Sequence, residues 1–360
     1  MTKNSAGVWS NAGLFVGAVL FAIFLCEVVV RLLGLAPQIQ RLRVDQQDSV
    51  YERSDNPRLG YVLKRNYRSD SPGFHSNYAY TNADGLRDVE RTHDKPAGVH
   101  RIVVLGDSVV LGHGLPSVHD TISRQLETLL ASHSAEALNL GVGGYCTRAE
   151  VELLEVKGLA YEPDVVVLVF VENDWDDVNG HVAWVGPQAD RPGWAESLFV
   201  WSELYRLMSY RLDWYGFRTG VGPNQRLVAN MNAIGDSNVE QGLSRLKTLS
   251  DAHGFRVLIA LWPRFTESGI VEAERGETKA DDVALGVERL AQEAGFATVR
   301  LSQHFRADYA SRVAEKRIVP GATPLAVYAQ RDGMHPSKEG ASVAAQALQK
   351  ALTSRDWLAP

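Results

Sequence analysis

The stretch Val165-Val166-Val167-Leu168-Val169-Phe170 constrains the fold of this chain more than any other. Six consecutive apolar residues, most of them β-branched, leave a strand with no polar face. Such a strand must be covered on both sides, which is the situation of a parallel sheet flanked by helices. Segments 102–105, 137–140, 257–261 and 298–301 read as companion strands to the run at 165–171. Between them the apolar spacing lengthens to a helical period at 121–132, 148–159, 239–253 and 281–294, and a last helix is expected at 338–352. Strands alternating with helices predict βαβ units, and hence a three-layer α/β sandwich.

The rest of the chain divides around this body. Residues 1–11 form a short tail, 12–33 an apolar helix, 34–98 a polar lead-in with short strands, and 99–355 the α/β domain. The lead-in is punctuated by Asn56-Pro57, Ser71-Pro72-Gly73 and Asp84-Gly85, all turn-forming. At about 175–235 the alternation breaks into an insertion carrying Trp184, Trp194, Trp201 and Trp214. These rings either cap a site or pack the excursion onto the core.

Residues 12–26 are apolar or glycine without interruption, and Val28 to Val30 extend the run past Glu27 to the roughly 20 residues that a spanning helix needs. Glu27 and Arg31 stand four apart, so they share a helix face and can pair near the membrane boundary. A cleaved leader is the competing reading, with Gly34-Leu35-Ala36 as a small-x-small site, but Pro37 after it and Arg31 before it disfavour cleavage. A single-pass anchor is therefore expected. Cys26 lacks the small residues that precede a lipidated cysteine. Lys3 alone precedes the helix whereas Arg31, Arg41 and Arg43 follow it, a distribution that by itself favours a cytoplasmic body.

Net charge narrows the partners. At −6, with no clustered Lys and Arg, the chain lacks the means to neutralise a phosphate backbone, so no nucleic-acid partner is expected. Cys26 and Cys146 are too few and too far apart for a disulfide framework or a cysteine zinc site. No ligand spacing predicts a metal, and no glycine-rich phosphate loop predicts a nucleotide cofactor.

Chemistry gathers where strands end. Gly106-Asp107-Ser108 follows the first buried strand, and open α/β sheets place ligands beyond the carboxyl ends of their strands. Alone, the tripeptide reads equally as a turn or helix cap. The second strand runs into Asn139-Leu140-Gly141-Val142-Gly143-Gly144, where glycines let backbone N–H groups face a bound oxygen. The third runs into Glu172-Asn173-Asp174, from which Asn173 can present its amide. Before the last helix stands Asp332-Gly333-Met334-His335-Pro336-Ser337, which reads either as a helix start capped by Ser337 or as an Asp–His pair. In the second reading His335 deprotonates Ser108 while Asp332 fixes the imidazole tautomer.

In this order the motifs resemble the SGNH (GDSL-like) hydrolase superfamily. Its first block matches Gly106-Asp107-Ser108, its second Asn139 to Tyr145, and its fifth, Asp-x-x-His, Asp332 and His335. The third block usually reads Gly-x-Asn-Asp, whereas this chain has Val171-Glu172-Asn173-Asp174, keeping the asparagine without the glycine. The resemblance implies a flavodoxin-like fold, a triad of Ser108, Asp332 and His335, and an oxyanion hole made by the Ser108 N–H, the Gly144 N–H and the Asn173 amide. Leu59-Gly60-Tyr61 and Asn82-Ala83-Asp84-Gly85-Leu86-Arg87, following one anchor helix, are similar to the membrane-tethered bacterial members. That similarity implies an extracytoplasmic, periplasmic body, against the arginine count, and an ester or acylated-glycan substrate. It leaves two chemistries open, hydrolysis or acyl transfer beside a membrane-bound O-acyltransferase, because an acyl group on Ser108 can pass to water or to a sugar hydroxyl. A non-catalytic scaffold or glycan-binding domain is the remaining alternative.

Overall fold

The computed structural model describes residues 5–41, 44, 47–56, 59–69, 80–174, 181–184, 191–217, 229–230, 238–272 and 282–358. Lys3, Arg43, the turns expected at Pro57 and 71–73, and the start of the insertion at Trp175 lie outside them.

Helix α1 (Ser5–Leu32) leads into strand β1 (Gln38–Arg41) and the antiparallel hairpin β2 (Tyr51–Arg53) and β3 (Tyr61–Leu63). The body then runs β4 (His100–Gly106), α2 (Ser108–Leu111), α3 (Ile122–Leu129), β5 (Ala135–Gly141), α4 (Thr147–Val156) and β6 (Val165–Phe170). The insertion contributes β7 (His181–Trp184), α5 (Gly193–Trp201), α6 (Glu203–Arg211) and β8 (Ala229–Asn230), with β7 pairing to β1. The chain returns through α7 (Asn238–His253), β9 (Arg256–Leu261), β10 (Arg264–Phe265), β11 (Ile270–Val271) and α8 (Asp282–Glu293). It ends with β12 (Ala297–Arg300), α9 (Leu301–Ala314), α10 (Pro324–Tyr328) and α11 (Lys338–Thr353).

The main sheet has five parallel strands in the order β12-β9-β6-β4-β5. Direction along the sheet reverses between β4 and β6, and a doubly wound sheet opens its crevice at that switch point. All five expected strands are present, and β6 is fully buried along its length, as its lack of a polar face requires. Alternate strand residues feed two cores. Val103, Leu105, Val166 and Leu168 pack with α4, α7 and α8, whereas Ile102, Val104, Val165 and Val167 pack with α3, α9 and α11. The three-layer α/β sandwich is thereby realised. One boundary differs: Leu301, expected to end a strand, opens α9, and it is buried because it starts a core-facing helix turn.

The 34–98 segment packs into the same body. Val50, Leu59, Tyr61, Leu63, Tyr67 and Leu86 belong to the core on the α4 side. Arg101 in β4, fully buried, is held by Glu136 at 2.8 Å and by the carbonyls of Thr92, His93, Asp94 and Tyr161. A buried guanidinium is tolerated because its donors are so engaged.

Candidate active site

Ser108 owes its position to a tight strand-to-helix turn. Asp107, fully buried, caps α2 by accepting the Val109 N–H at 2.8 Å, so the following serine becomes the first helical residue, at the carboxyl end of β4. The Asp107 carboxylate also lies 3.3 Å from the Ser108 Oγ and accepts the Asn173 amide at 3.2 Å. One carboxylate thus ties together the two strand ends on either side of the switch point.

The loop before α11 supplies the other half. Asp332 accepts the backbone N–H groups of Met334 and His335, each at 2.9 Å, which closes a compact turn. Gly333 sits in this turn at φ +74°, and a side chain there would collide with the Phe265 carbonyl, which accepts no such intrusion because the Phe265 N–H bonds the Gly333 carbonyl at 2.8 Å. Trp262 pins the loop from the other side, its indole N–H donating to the Met334 carbonyl at 2.8 Å. Held so, His335 Nδ1 lies 2.7 Å from the Asp332 carboxylate and His335 Nε2 lies 2.8 Å from the Ser108 Oγ. Burial alone would raise the Asp332 pKa, but hydrogen bonds from the His335 ring and from two backbone N–H groups hold it well below the usual carboxylate range. Ser337 is at the same time the N-cap of α11, accepting the Gly340 N–H at 3.0 Å. The helix-start reading and the Asp–His reading therefore both describe this segment.

The glycine loop after β5 closes the third side. Gly144 adopts φ +80°, a conformation that favours glycine, and among the described residues neither its N–H nor that of Ser108 is paired with another backbone group. Asn139, buried, braces the loop by donating to the Val110 carbonyl and accepting the Gly141 N–H, both at 2.9 Å. The structure thus brings Ser108, Asp332 and His335 into one hydrogen-bonded chain. It sets Asn173 against Asp107 beside them.

Several neighbours hold places at the site that the sequence does not disclose. Two motifs of the lead-in grip the loops of the site: the Tyr61 hydroxyl donates to the Gly143 carbonyl at 2.7 Å, and the buried Arg87 guanidinium donates to the carbonyls of Leu111, Gly112 and Leu115 at the end of α2. His113 lies with its ring 4.4 Å from that of His335, and burial together with the neighbouring imidazole pushes its pKa down to about 4. Below the site, Glu150 and Asp174 are completely buried; burial raises both carboxyls well above the ordinary range, and the nearby carboxylates add to it. Glu150 had a readable signal, since Thr147, Glu150, Val151 and Leu154 form the buried face of α4 with a carboxyl in its midst. Among the described residues no group of three or more His, Cys, Asp or Glu side chains is arranged to hold a metal ion.

No curated protein matches the chain. Among solved structures, it is similar to a GDSL-like lipase from Parabacteroides merdae, with 15% identity, 71% of this chain and 95% of that one covered, and a TM-score of 0.41. A lipase/acylhydrolase from Enterococcus faecalis is similar at 15% identity, with 71% and 96% covered and a TM-score of 0.41. The model of the GDSL-like lipase/acylhydrolase family matches residues 104–343, from the middle of β4 into α11, which takes in Ser108, Gly144, Asn173, Asp332 and His335. The chain belongs to the GDSL-like lipase/acylhydrolase family, within the SGNH hydrolase superfamily, whose members act on acyl esters.

Proposed function

We propose that this protein is a membrane-anchored serine esterase that works through an acyl-Ser108 intermediate on O-acyl esters of cell-surface carbohydrate. The observation that carries the reading is the continuous Asp332–His335–Ser108 hydrogen-bond chain, with both links under 3 Å. His335 Nε2 takes the Ser108 proton as Oγ attacks the ester carbonyl, and Asp332 holds the Nδ1–H tautomer and steadies the imidazolium. The negative charge that develops on the carbonyl oxygen is met by the Ser108 N–H, the Gly144 N–H and the Asn173 amide. An amide nitrogen carries two hydrogens, so Asn173 can keep its bond to Asp107 and still donate to the oxyanion. The tetrahedral intermediate then expels the alcohol, which receives its proton from His335. Water, deprotonated by the same imidazole, releases the acyl group and restores Ser108.

Anchoring is supported by α1. Its segment Asn11–Leu32 is 22 residues long and apolar enough to cross a bilayer, and its side chains from Leu14 to Leu25 are almost all exposed. A leader peptide passes the same test of length and composition. Retention is favoured by Glu27 and Arg31, which bind the body of the protein through Ser202, Glu203 and Leu204 and through the Trp201 carbonyl. An extracytoplasmic body and a glycan substrate rest on the likeness of the anchor, Leu59-Gly60-Tyr61 and Asn82 to Arg87 to the membrane-tethered members.

The test is labelling of the full-length protein with a fluorophosphonate probe, followed by location of the adduct. Modification of Ser108, abolished in Ser108→Ala and strongly slowed in His335→Ala, is the expected result. Labelling that survives Ser108→Ala unchanged rejects the serine mechanism. Reporter fusions just after Gln40 give the orientation, and a reporter active only in the cytoplasm rejects the extracytoplasmic placement.

A further inference from the structure

Helix α5 is apolar on two faces, one turned inward and one outward. Ala195 and Phe199 are fully buried with Tyr210 and Phe217 in a small core separate from the two beside the sheet. Trp194, Leu198 and Trp201, spaced as i, i+4 and i+7 along the other face, are 55%, 42% and 73% exposed. The surface continues past the helix: the Trp194 ring lies 5.4 Å from that of the exposed Tyr215, and Tyr205 lies 6.0 Å from Trp214. Scattered exposed apolar side chains are ordinary, whereas a contiguous aromatic face signals that something covers it.

The neighbouring contacts identify what covers it. Glu27, within α1, accepts the Ser202 hydroxyl at 2.8 Å and the N–H groups of Glu203 and Leu204 at 3.0 and 2.9 Å, so its carboxylate caps the start of α6. Arg31, one turn further, pairs with Glu27 at 2.7 Å and donates to the Trp201 carbonyl at 2.7 Å. These bonds fix Trp201 at the depth of Glu27 and Arg31, inside the last turns of the Asn11–Leu32 segment. Wherever the end of α1 meets a membrane surface, Trp201 meets it too. Tryptophan and tyrosine favour that depth, where the ring is buried among acyl chains and its polar edge stays hydrated.

We infer that the α5–α6 hairpin is a membrane collar, with its Trp194–Leu198–Trp201 face seated in the headgroup–acyl boundary of the leaflet from which α1 emerges. The inference rests on the proposal that α1 is inserted in the bilayer. It makes the anchor and the catalytic body one unit clamped to the membrane plane, with the Glu27 and Arg31 bonds as the clamp.

The experiment uses the full-length protein in phosphatidylcholine vesicles carrying bromine either just beneath the headgroups or near the acyl-chain ends. Tryptophan emission is compared between wild type and Trp201→Phe, with circular dichroism as a control for folding, and each sample is washed with alkaline carbonate. The expected result is that the chain resists carbonate and that the emission lost in Trp201→Phe is quenched by shallow bromine more than by deep bromine. A chain stripped by carbonate means that α1 does not insert, and the anchor and the collar fall together. A chain that resists carbonate while its Trp201 emission is insensitive to shallow bromine overturns the collar alone. Should that insensitivity come with a dimer in detergent that Trp201→Glu dissociates, the face belongs to a second copy of the chain, which also overturns the collar.

Discussion

The catalytic face and the α5–α6 hairpin solve opposite problems with their side chains. Around Ser108, position is set by groups that are both buried and hydrogen-bonded: Asp107, Asn139, Arg87 and Tyr61 each hold a backbone segment by a hydrogen bond. In the hairpin a few stacked rings supply the core, and apolar surface is left outward. The first arrangement produces a small number of atoms in one geometry, as an oxyanion site demands. The second produces an area, which is what a surface contact demands. Substitutions in the two regions should therefore separate activity from stability.

The largest effect is expected at the nucleophile. Ser108→Ala should lower hydrolysis of a short p-nitrophenyl ester by about 10⁴-fold or more, because triad members act as a unit. The melting temperature should stay near wild type, since only a hydroxyl is removed from a partly exposed position. A large fall in melting temperature would show that the two roles are not separable here. Phe199→Ala inverts the pattern. Phe199 stacks on Phe217 with ring centroids 4.0 Å apart and is fully buried, so its truncation should cost about 3–5 kcal/mol locally. Hydrogen exchange should then accelerate through α5 and α6 while turnover of a soluble ester holds.

Next in size is Asn173→Ala, expected to lower kcat by roughly a hundredfold with little change in KM, because its donor serves charge that appears only in the transition state. A mutant altered in KM alone would make Asn173 a substrate-binding residue.

What the sequence disclosed follows the range of the interactions involved. The five strands are legible because residues such as Val165 to Phe170 exclude every environment but a sheet covered on both faces. Ser108, Asp332 and His335 are legible because each stands in a short motif at an element's end, and the Asp–His contact is only three residues long. Arg87 and Tyr61 are different. Their partners, Leu111 to Leu115 and Gly143, lie 24 to 28 and 82 residues away, and no local pattern encodes such a contact. Helix α9 is not legible because its buried residues, Leu301, Ser302 and Phe305, are few and confined to its start, and the rest of the helix mixes apolar and polar residues without a single apolar face. The insertion showed its aromatic content but not its place beside α1, which depends on Glu27 meeting Ser202 across 175 residues.

A smaller effect tests the floor beneath the site. The folded-state pKa of Glu150 is raised, so above the ordinary carboxyl range the folded state binds a proton that the unfolded state has lost. Stability must then fall as pH rises through that window. Glu150→Gln removes this proton uptake, and its melting temperature should gain on wild type as pH increases from about 4 to 8. A gap that stays constant with pH would mean that Glu150 does not titrate differently in the two states.

The smallest effect is expected at Trp201, and it is the sharpest comparison with Phe199. Only one residue separates them on α5, yet one ring is stacked inside the hairpin and the other is nearly three-quarters exposed. Replacing a side chain exposed to this extent changes stability by about 0.5 kcal/mol or less. The bonds that join this turn to α1 also survive, because Arg31 reaches the Trp201 carbonyl and not its ring. In detergent, which covers the outward face in both proteins, Trp201→Ala should therefore melt within a degree or two of wild type, about what such an energy supports in a chain of this size. A fall approaching that of Phe199→Ala would show that the Trp201 ring is packed by protein, and the contrast between the two faces of α5 would have to be given up.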